Sequence, residues 1–241
     1  MIRRYISSIL KDYHARLGRI ERTSKEAVWA NIYHDSIRDS TSLKALSISP
    51  GRMAASYSML FILFRVMSDY RPLRILEFGL GESTRMINTF MSDVGADFHH
   101  VVVEGNKDWI DFFGNRYKTG TYTDIRYMPC DKVMINGVSV NTHVDIPKSE
   151  HEKYDLYVID GPNGSKGVSR YDIVFMIDSF SVSDDFIVIF DDYDREGEQV
   201  SAGVFLRLIR EKGLVVYTGV YSGEKSQLVI ATSKYRYATS F

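Results

Sequence analysis

The sequence has 241 residues, of which 44% are hydrophobic, 25% charged and 13% aromatic. This composition predicts one large globular domain and excludes disordered, collagenous and disulfide-framework proteins. Thirty lysines and arginines against 31 aspartates and glutamates give a net charge of −1, which argues against a globally basic nucleic-acid binder. Cys130 is the only cysteine, so neither an intrachain disulfide nor a cysteine-rich zinc site can form, which fits a reducing cytoplasm.

Residues 1–72 have the pattern of helices with one apolar stripe and a basic polar face. Apolar residues recur at spacings of three or four at the start, at Ile2, Ile6, Ile9, Tyr13, Leu17 and Ile20. The stripe favours packing on the body of the protein or on a second copy, which would give a homo-oligomer. Contact with a membrane surface or a polysaccharide is the less favoured alternative. A buried helix is predicted at residues 53–68, and Arg71 and Pro72 end it.

No part of the sequence predicts a membrane span or a targeting segment. The longest apolar stretch, residues 59–64, is far below the ~18 residues that a membrane-spanning helix needs. The two arginines near the start are not followed by the apolar core of a signal peptide. We therefore expect a soluble, cytoplasmic chain.

Short apolar runs alternate with helical patterns from residue 73 onward. The predicted strands are residues 73–78, 100–104, 123–128, 155–160 and 186–191, and the predicted helices are residues 83–91, a helix from residue 108, and residues 169–179 and 198–212. This alternation predicts an α/β fold, in which a parallel sheet carries helices on both faces.

Two hairpins are predicted in addition to this alternation. Asn136 and Gly137 stand between alternating apolar residues and predict a tight hairpin inserted between the third and fourth strands. The last two predicted strands, residues 214–220 and 227–232, are joined by residues 221–224. That link is too short for a helical crossover, so it predicts an antiparallel hairpin at the end of the sheet.

A glycine turn and a carboxylate follow the first two predicted strands, at the sheet edge where ligands of such folds bind. Gly79 and Gly81 allow the backbone to pass close under a ligand, and Glu104 is placed to hold two ribose hydroxyls. Thr84 stands where a dinucleotide-binding turn prefers a third glycine. Glu77 suits a positively charged ligand, so S-adenosylmethionine, with its amino group and sulfonium, fits better than a pyrophosphate.

The terminal hairpin indicates the same cofactor, because it is a hallmark of the class I methyltransferase fold with strand order 3-2-1-4-5-7-6. Ser83 and Thr84 are expected to cap the helix after the glycine turn and to contact the methionine carboxylate. Asp131, after the third strand, is a candidate adenine contact, with a solvated turn residue as the alternative. Asp160, after the fourth strand, is also expected to contact the cofactor.

Carboxylates crowd the ends of the fourth and fifth predicted strands. Asp160 follows the fourth strand, and Asp191, Asp192 and Asp194 lie at the end of the fifth. Several negative charges in one cleft are unfavourable unless water, a cation or a cationic partner offsets them. Oxygen ligands suit Mg²⁺, Mn²⁺ or Ca²⁺, so Asp160, Asp191 and Asp192 are candidate metal ligands and catalytic residues. The alternative is that these carboxylates cap the next helix or pair with Arg195.

Four segments resemble, in the same order, the glucuronoxylan 4-O-methyltransferase group of polysaccharide methyltransferases. They are Phe78-Gly79-Leu80-Gly81, Glu104 with Trp109-Ile110, Tyr154-Asp155 with Asp160-x-Pro162-x-Gly164, and Asp192-x-Asp194-Arg195. They lie within residues 78–195, about half of the chain. The resemblance implies transfer of a methyl group from S-adenosylmethionine to a hydroxyl of a sugar or uronic acid. The sequence departs from the group at Asp191, where the group has a histidine.

The three clustered aspartates also resemble the metal site of catechol-type O-methyltransferases. The catalytic lysine that those enzymes have three residues after the first aspartate is replaced here by Asn163. Lys166 is therefore the candidate substitute for that lysine.

Together these features predict a class I, S-adenosylmethionine-dependent O-methyltransferase that acts on a sugar or polysaccharide hydroxyl, assisted by a divalent ion or by Asp160. Residues 73–241 would form the catalytic domain and residues 1–72 a helical lid. Residues 1–72 hold 12 basic against 6 acidic residues and the remainder 18 against 25, so the acidic part suits a cationic cofactor and the basic part an anionic glycan. The alternatives are a small-molecule O-methyltransferase, a non-catalytic scaffold of glycan assembly, and a nicotinamide-dependent sugar oxidoreductase.

Overall fold

The computed structural model describes residues 2–51, 54–95, 97–144, 146, 152–164 and 167–241. The α-helices are α1 (Ile2–Ser36), α2 (Thr41–Ala45), α3 (Tyr57–Tyr70), α4 (Glu82–Val94), α5 (Lys107–Arg116), α6 (Asp172–Phe175) and α7 (Glu196–Glu211). The strands are β1 (Arg74–Phe78), β2 (His99–Glu104), β3 (Thr123–Tyr127), β4 (Cys130–Ile135), β5 (Val138–His143), β6 (Leu156–Ile159), β7 (Ile187–Phe190), β8 (Val216–Ser222) and β9 (Ser226–Thr232). Short 3₁₀ helices follow at Ile177–Ser179 and Ser233–Thr239.

The main sheet has the order β3-β2-β1-β6-β7-β9-β8. Neighbours from β3 to β7 are parallel, whereas β9 is antiparallel to both β7 and β8. This confirms the predicted Rossmann-like sheet, including its order and its terminal antiparallel hairpin. The order reverses between β1 and β6, so the loops after these two strands open a crevice at their carboxyl ends.

The parallel strands are apolar along their whole length because both faces of the sheet are covered. Ile75 lies in the core on the side of α3 and α4, and the next residue, Leu76, lies in the core on the side of α6 and α7. The central strands β6 and β7 are fully buried. This packing holds the carboxyl ends of β1, β6 and β7 in a fixed arrangement around the crevice.

The N-terminal helices differ in how they meet the sheet. Helix α3 begins after its N-cap Ser56 and ends at Arg71, which adopts φ +48° before Pro72, as the stop signal predicts. Its predicted start at residue 53 lies outside the described residues. Near the end of α1, Trp29 Nε1 donates to the Ser222 carbonyl at 3.0 Å, and Tyr33 is buried in the core.

Within the described residues no helix is long and apolar enough to span a membrane.

The apolar stripe at the start of α1 is not covered by the body of the protein. Exposed members of the stripe are Ile6, Ile9, Tyr13, Leu17 and Ile20. Packing on the body is therefore wrong for this half of the helix, because the core contacts of α1 come from its later part, at Trp29 and Tyr33. Association with a second copy through the stripe stays a prediction.

Both predicted hairpins form, but the bounds of the terminal hairpin differ from the predicted ones. Asn136 and Gly137 have φ +50° and +81° at the turn between β4 and β5, which is why these two residue types are favoured there. The terminal hairpin has a shorter loop than residues 221–224, because Tyr221 and Ser222 pair with Gln227 and Ser226 and extend β8. Lys225 consequently lies in a tight loop that points back to the sheet edge.

The helix predicted at residues 169–179 starts three residues later and is divided into α6 and the short 3₁₀ helix Ile177–Ser179. Arg170 has φ +53°, which is incompatible with a right-handed helix, and helical structure starts only at Asp172. The segment before α6 therefore crosses the carboxyl ends of the strands as an extended loop, and this places Arg170 in the functional crevice.

Candidate functional site

A cavity of about 400 Å³ lies at the carboxyl ends of β1, β2, β6 and β7. Its wall includes the predicted residues Gly79, Glu104, Asp160 and Asp192. Cofactor sites commonly have volumes of roughly 300–1,000 Å³ and lie at such switch points. Of the predicted cofactor residues the structure therefore brings Gly79, Glu104 and Asp160 to this cavity, together with Asp192 of the acidic cluster, whereas Gly81 does not line it.

The floor of the cavity is formed by two loops that cross in close contact. Gly79 has φ +99°, and a Cβ there would lie 3.1 Å from the carbonyl oxygen of Asp160. A Cβ on Gly161 would lie 3.1 Å from the Gly79 backbone nitrogen. Both glycines are thus required by the crossing itself. Gly81 has an extended backbone and starts α4, where its N–H donates to Thr84 Oγ1 at 3.1 Å.

Glu104 has the position that the sequence predicts, at the end of β2 and in the cavity wall. Its Oε2 accepts from the Leu80 N–H at 3.2 Å, and its Oε1 accepts from the Asn106 N–H at 2.8 Å. Trp109 Nε1 in turn donates to the Leu80 carbonyl at 2.7 Å. These bonds hold the glycine loop and the β2 loop against each other, with a partly exposed carboxylate between them.

Glu77, Ser83 and Thr84 do not line the cavity, contrary to the predicted cofactor contacts. The fully buried Glu77 carboxylate accepts from the Ser83 hydroxyl, from Thr84 Oγ1 at 2.8 Å, and lies 3.0 Å from His100 Nε2. The side chain of Glu77 points inward between β1, β2 and α4 because both faces of the central strand are buried. These groups therefore anchor the start of α4, which agrees with the helix-capping part of the prediction for Thr84.

Replacing Glu77 with glutamine should lower the free energy of unfolding by about 2–4 kcal/mol, because the substitution removes a carboxylate oxygen that accepts hydrogen bonds in a fully buried site and puts an NH₂ donor in its place. Urea denaturation measures the change. The surface variant Glu211→Gln, at an exposed position, is the matched control and should change stability by less than about 0.5 kcal/mol. An equal effect of both substitutions would contradict this role.

Asp131 is an exposed residue of β4 and does not line the cavity. It borders a separate hollow with Val133 and Ile146, while the neighbouring Cys130 lines the main cavity. The alternation of side chains along a strand explains the difference, since adjacent residues face opposite sides. Lys166, the candidate catalytic lysine, lies outside the described residues.

The three clustered aspartates are close together, as predicted. One oxygen from each of Asp160, Asp191 and Asp192 lies within 4.8 Å of the others. The guanidinium of the buried Arg170 donates to Asp160 Oδ1 at 3.0 Å, to the Asp192 carboxylate, and to the Asp191 carbonyl at 2.6 Å. Glu198 adds a fourth carboxylate 3.7 Å from the Arg170 guanidinium.

Lys225 supplies a second positive charge to this cluster. Its Nζ donates to Asp191 Oδ2 at 3.0 Å and lies 3.3 Å from Asp192 Oδ1. The other oxygen of Asp191 accepts from Gln227 Nε2 at 2.8 Å. Asp191 is fully buried and absent from the cavity wall, whereas Lys225 lines it. The predicted catalytic contact of Asp191 is therefore replaced by a supporting one, since the carboxylate holds Lys225.

Two of these carboxylates have opposite pKa shifts. Burial and the neighbouring charge of Asp191 raise the pKa of Asp160 well above that of an ordinary aspartate. Burial alone would raise the pKa of Asp191 too, but Lys225 and Arg170 outweigh it and lower the pKa. Asp191 is thus the ionised partner of the lysine, and Asp160 is the carboxyl group suited to accept a proton.

The cluster does not fit a resident divalent metal ion. Arg170 and Lys225 already contact all three candidate ligands, and a metal ion would have to displace one of these cations from buried carboxylates. Such a displacement leaves a buried positive charge without its partners, which is strongly unfavourable. The cationic partner, one of the alternatives that the sequence left open for this cluster, is what the structure contains.

Arg170, Lys225 and His143 contribute to the site but were missed from the sequence. Arg170 comes from a loop within the predicted helix, and Lys225 from the loop between β8 and β9, just after the predicted link of residues 221–224. The signal in the sequence that could have indicated Arg170 and Lys225 is the balance of charge. A buried cluster of carboxylates requires basic partners from elsewhere in the chain. The predicted pairing of Arg195 is confirmed, at 3.0 Å from Asp192.

No protein-family model matches this sequence, and neither does any curated protein. Solved structures share the fold. TomG of Streptomyces achromogenes, an O-methyltransferase of tomaymycin synthesis in complex with S-adenosylmethionine, is 12% identical, with a TM-score of 0.51 over 85% of this chain and 89% of TomG. An O-methyltransferase from Bacillus cereus in complex with S-adenosylhomocysteine is 16% identical, with a TM-score of 0.50 over 83% of this chain and 90% of that one. These likenesses confirm the class I methyltransferase fold.

Proposed function

We propose that this protein is an S-adenosylmethionine-dependent O-methyltransferase whose acceptor is a hydroxyl group of a sugar or polysaccharide. The observation that carries the proposal is one cavity at the switch point of a methyltransferase-like sheet, lined by Gly79, Glu104 and Asp160. This cavity places a surface suited to a nucleoside next to the Asp160 carboxyl group, which can accept a proton.

The cofactor would lie along the two loops that Glu104 connects. The backbone at Gly79 and Leu80 offers a surface without side-chain obstruction, and the Glu104 carboxylate accepts hydrogen bonds from ribose hydroxyls. The bound sulfonium supplies the electrophilic methyl group. The Glu104 carboxylate in the cavity wall contributes negative charge that favours binding of this cationic cofactor.

Asp160 would act as the general base. Its Oδ1 is held by Arg170, and the side chain is partly exposed to the cavity. When the acceptor hydroxyl is methylated, its proton would pass to the Asp160 carboxylate. Lys225 and Arg170 place positive charge where negative charge develops on the acceptor oxygen.

Methyl transfer should therefore proceed without a divalent ion. We expect activity to survive thorough treatment with EDTA and to show no stimulation by Mg²⁺ or Mn²⁺, because Lys225 and Arg170 supply the charge. The measurement is the initial rate before and after chelation, with metal content determined on the same sample. Loss of activity on chelation and its return with Mg²⁺ would contradict this expectation.

A polar acceptor fits the cavity better than an aromatic one. Among the described residues its wall carries no Phe, Tyr or Trp, whereas asparagines and charged groups are among the lining residues. Arg195 is a half-exposed cation at the wall, suited to the carboxylate of a uronic acid. We propose residues 1–72 as a basic lid on this side, since Glu26 of α1 accepts from the Glu224 N–H at 2.9 Å, next to Lys225.

The test is transfer of a labelled methyl group from S-adenosylmethionine to three acceptor sets: oligosaccharides with uronic acids, neutral oligosaccharides, and catechols. We expect label on the acidic oligosaccharides. Label on catechols alone would support a small-molecule O-methyltransferase, and cofactor binding without transfer to any acceptor would support a scaffold. Binding of NAD in place of S-adenosylmethionine would overturn the proposal.

A further inference from the structure

The part of α1 before Glu26 carries an exposed apolar seam that has no part in the proposed methyl transfer. The seam consists of residues that alternate at spacings of four and three along the chain: Ile6, Leu10, Tyr13, Leu17 and Ile20. These residues are between 44% and 62% exposed. Their alternation is the heptad pattern of a coiled coil, with Leu10 and Leu17 at position a and the other three residues at position d.

The seam faces away from the body of the protein. Glu26, Trp29 and Tyr33 of the same helix contact the body. In the heptad these three residues occupy positions c, f and c, which lie on the side of the helix opposite a and d. Ser24 and Ala27 continue the seam, and they are exposed as well. The described part of one chain therefore leaves the seam uncovered.

This part of α1 has little of the packing that a helix normally needs in water. Residues 9–25 are exposed apart from Gly18, which is partly buried. Isolated helices of about this length are only marginally stable in water, because most helical stability in proteins comes from the packing of an amphipathic face. A partner that covers the seam would supply this packing.

The charges beside the seam fit a second copy of this chain in the parallel orientation. Arg16 occupies position g and Glu21 the following position e, and these are the positions that form ion pairs between the helices of a parallel coiled coil. Within one chain the two side chains form exposed pairs with Asp12 and Lys25, which contribute little and can be exchanged. Four further basic residues occupy the outer positions b, c and f, where two copies are farthest apart: Lys11, Arg19, Arg22 and Lys25.

We propose that this surface is a dimer interface, in which residues 6–27 of two copies of the chain form a parallel two-stranded coiled coil. Arg16 of each copy pairs with Glu21 of the other. An anionic membrane would also suit an apolar stripe on a basic helix. The second copy is favoured because the narrow seam matches another helix, and because Glu21 beside the seam would be repelled by anionic lipids.

The first experiment is sedimentation equilibrium of the full chain, which should give twice the mass of one chain at micromolar concentration. Leu17→Glu should weaken the dimer by at least about 100-fold, because it puts a charge into the seam of both copies. The control Arg22→Glu at position f should keep the dissociation constant within about threefold. A monomeric wild type overturns the proposal, and co-sedimentation of that monomer with anionic lipid vesicles would assign the seam to a membrane. An unweakened dimer in Leu17→Glu overturns it too.

The second experiment tests the ion pair and the orientation. Arg16→Glu and Glu21→Arg should each weaken the homodimer about tenfold, because like charges then meet twice, whereas an equimolar mixture of the two variants should form heterodimers. In a Cys130→Ser background, Tyr13→Cys at position d should form a disulfide between two copies on mild oxidation. Variants that do not prefer each other overturn the ion pair, and a dimer without the disulfide overturns the parallel orientation. Neither experiment depends on the proposed methyl transfer.

Discussion

Asp160→Asn is expected to lower kcat by about 100- to 10,000-fold and to leave S-adenosylhomocysteine affinity within about threefold of the wild-type value. The amide has the shape of the carboxyl group and keeps an oxygen for Arg170, but it cannot accept the hydroxyl proton. Because a base is needed only as the methyl group is transferred, its loss affects kcat far more than cofactor binding. Single-turnover kinetics and calorimetry measure the two quantities separately.

The pH dependence of the methyl-transfer rate is a second measurement of the role of Asp160 as general base. A general base acts in its ionised form, so the rate should rise as pH rises through the pKa of Asp160. Because burial and Asp191 raise that pKa, the acidic limb should lie above the range of an ordinary aspartate. The limb should disappear in Asp160→Asn.

Asp194→Asn is the matched control for this prediction. Asp194 belongs to the same acidic loop and accepts from the Ser226 N–H at 3.0 Å, but it does not line the cavity. Asp194→Asn should leave kcat within about threefold of the wild-type value, because Asp160 still accepts the hydroxyl proton. Equal activity of Asp160→Asn and Asp194→Asn would remove Asp160 from the mechanism.

Glu104→Ala should weaken binding of S-adenosylhomocysteine by about 10- to 100-fold, or roughly 1.4–2.8 kcal/mol. The substitution removes the acceptor for the ribose hydroxyls and also releases the Leu80 and Asn106 N–H groups that the carboxylate holds. Calorimetric titration measures the change, and kcat at saturating cofactor should fall much less. The matched control is Asp108→Asn at an exposed position of α5. Unchanged affinity in Glu104→Ala would place the nucleoside elsewhere.

Features that depend on local pattern were predictable from the sequence. Apolar runs such as residues 73–78 correctly predicted strands, and Asn136 with Gly137 correctly predicted the inserted hairpin. A strand or a tight turn depends on only a few neighbouring residues. The positions of Glu104 and Asp160 in the cavity wall were predictable because the carboxyl ends of parallel strands meet at one edge. For these residues the topology alone was sufficient.

Features that depend on side-chain direction and long-range packing were not predictable in this way. Glu77 belongs to a strand buried on both faces, so the apolar pattern does not tell which way its carboxylate points. Arg170 reaches the cluster through a backbone conformation with φ +53°, which an arginine adopts only when surrounding contacts compensate for it. Lys225 reaches the cluster from a hairpin more than thirty residues after Asp191.

A metal site was predicted at Asp160, Asp191 and Asp192 because the basic partners of these carboxylates could not be foreseen from the sequence. Three carboxylates without cations suggest a divalent ion, whereas the same carboxylates with Arg170 and Lys225 form a largely neutralised cluster. Only the folded chain tells these two cases apart, because the cations come from segments distant in sequence.

Calorimetric titration of the purified chain with S-adenosylmethionine, S-adenosylhomocysteine and NAD determines whether the chain binds an adenosyl cofactor. The expected result is saturable binding of S-adenosylmethionine and S-adenosylhomocysteine, with one molecule per chain, and no binding of NAD. Binding should be weakened by Glu104→Ala and not by Asp108→Asn. Absence of heat from both adenosyl ligands, in protein shown to be folded by circular dichroism, would contradict this expectation.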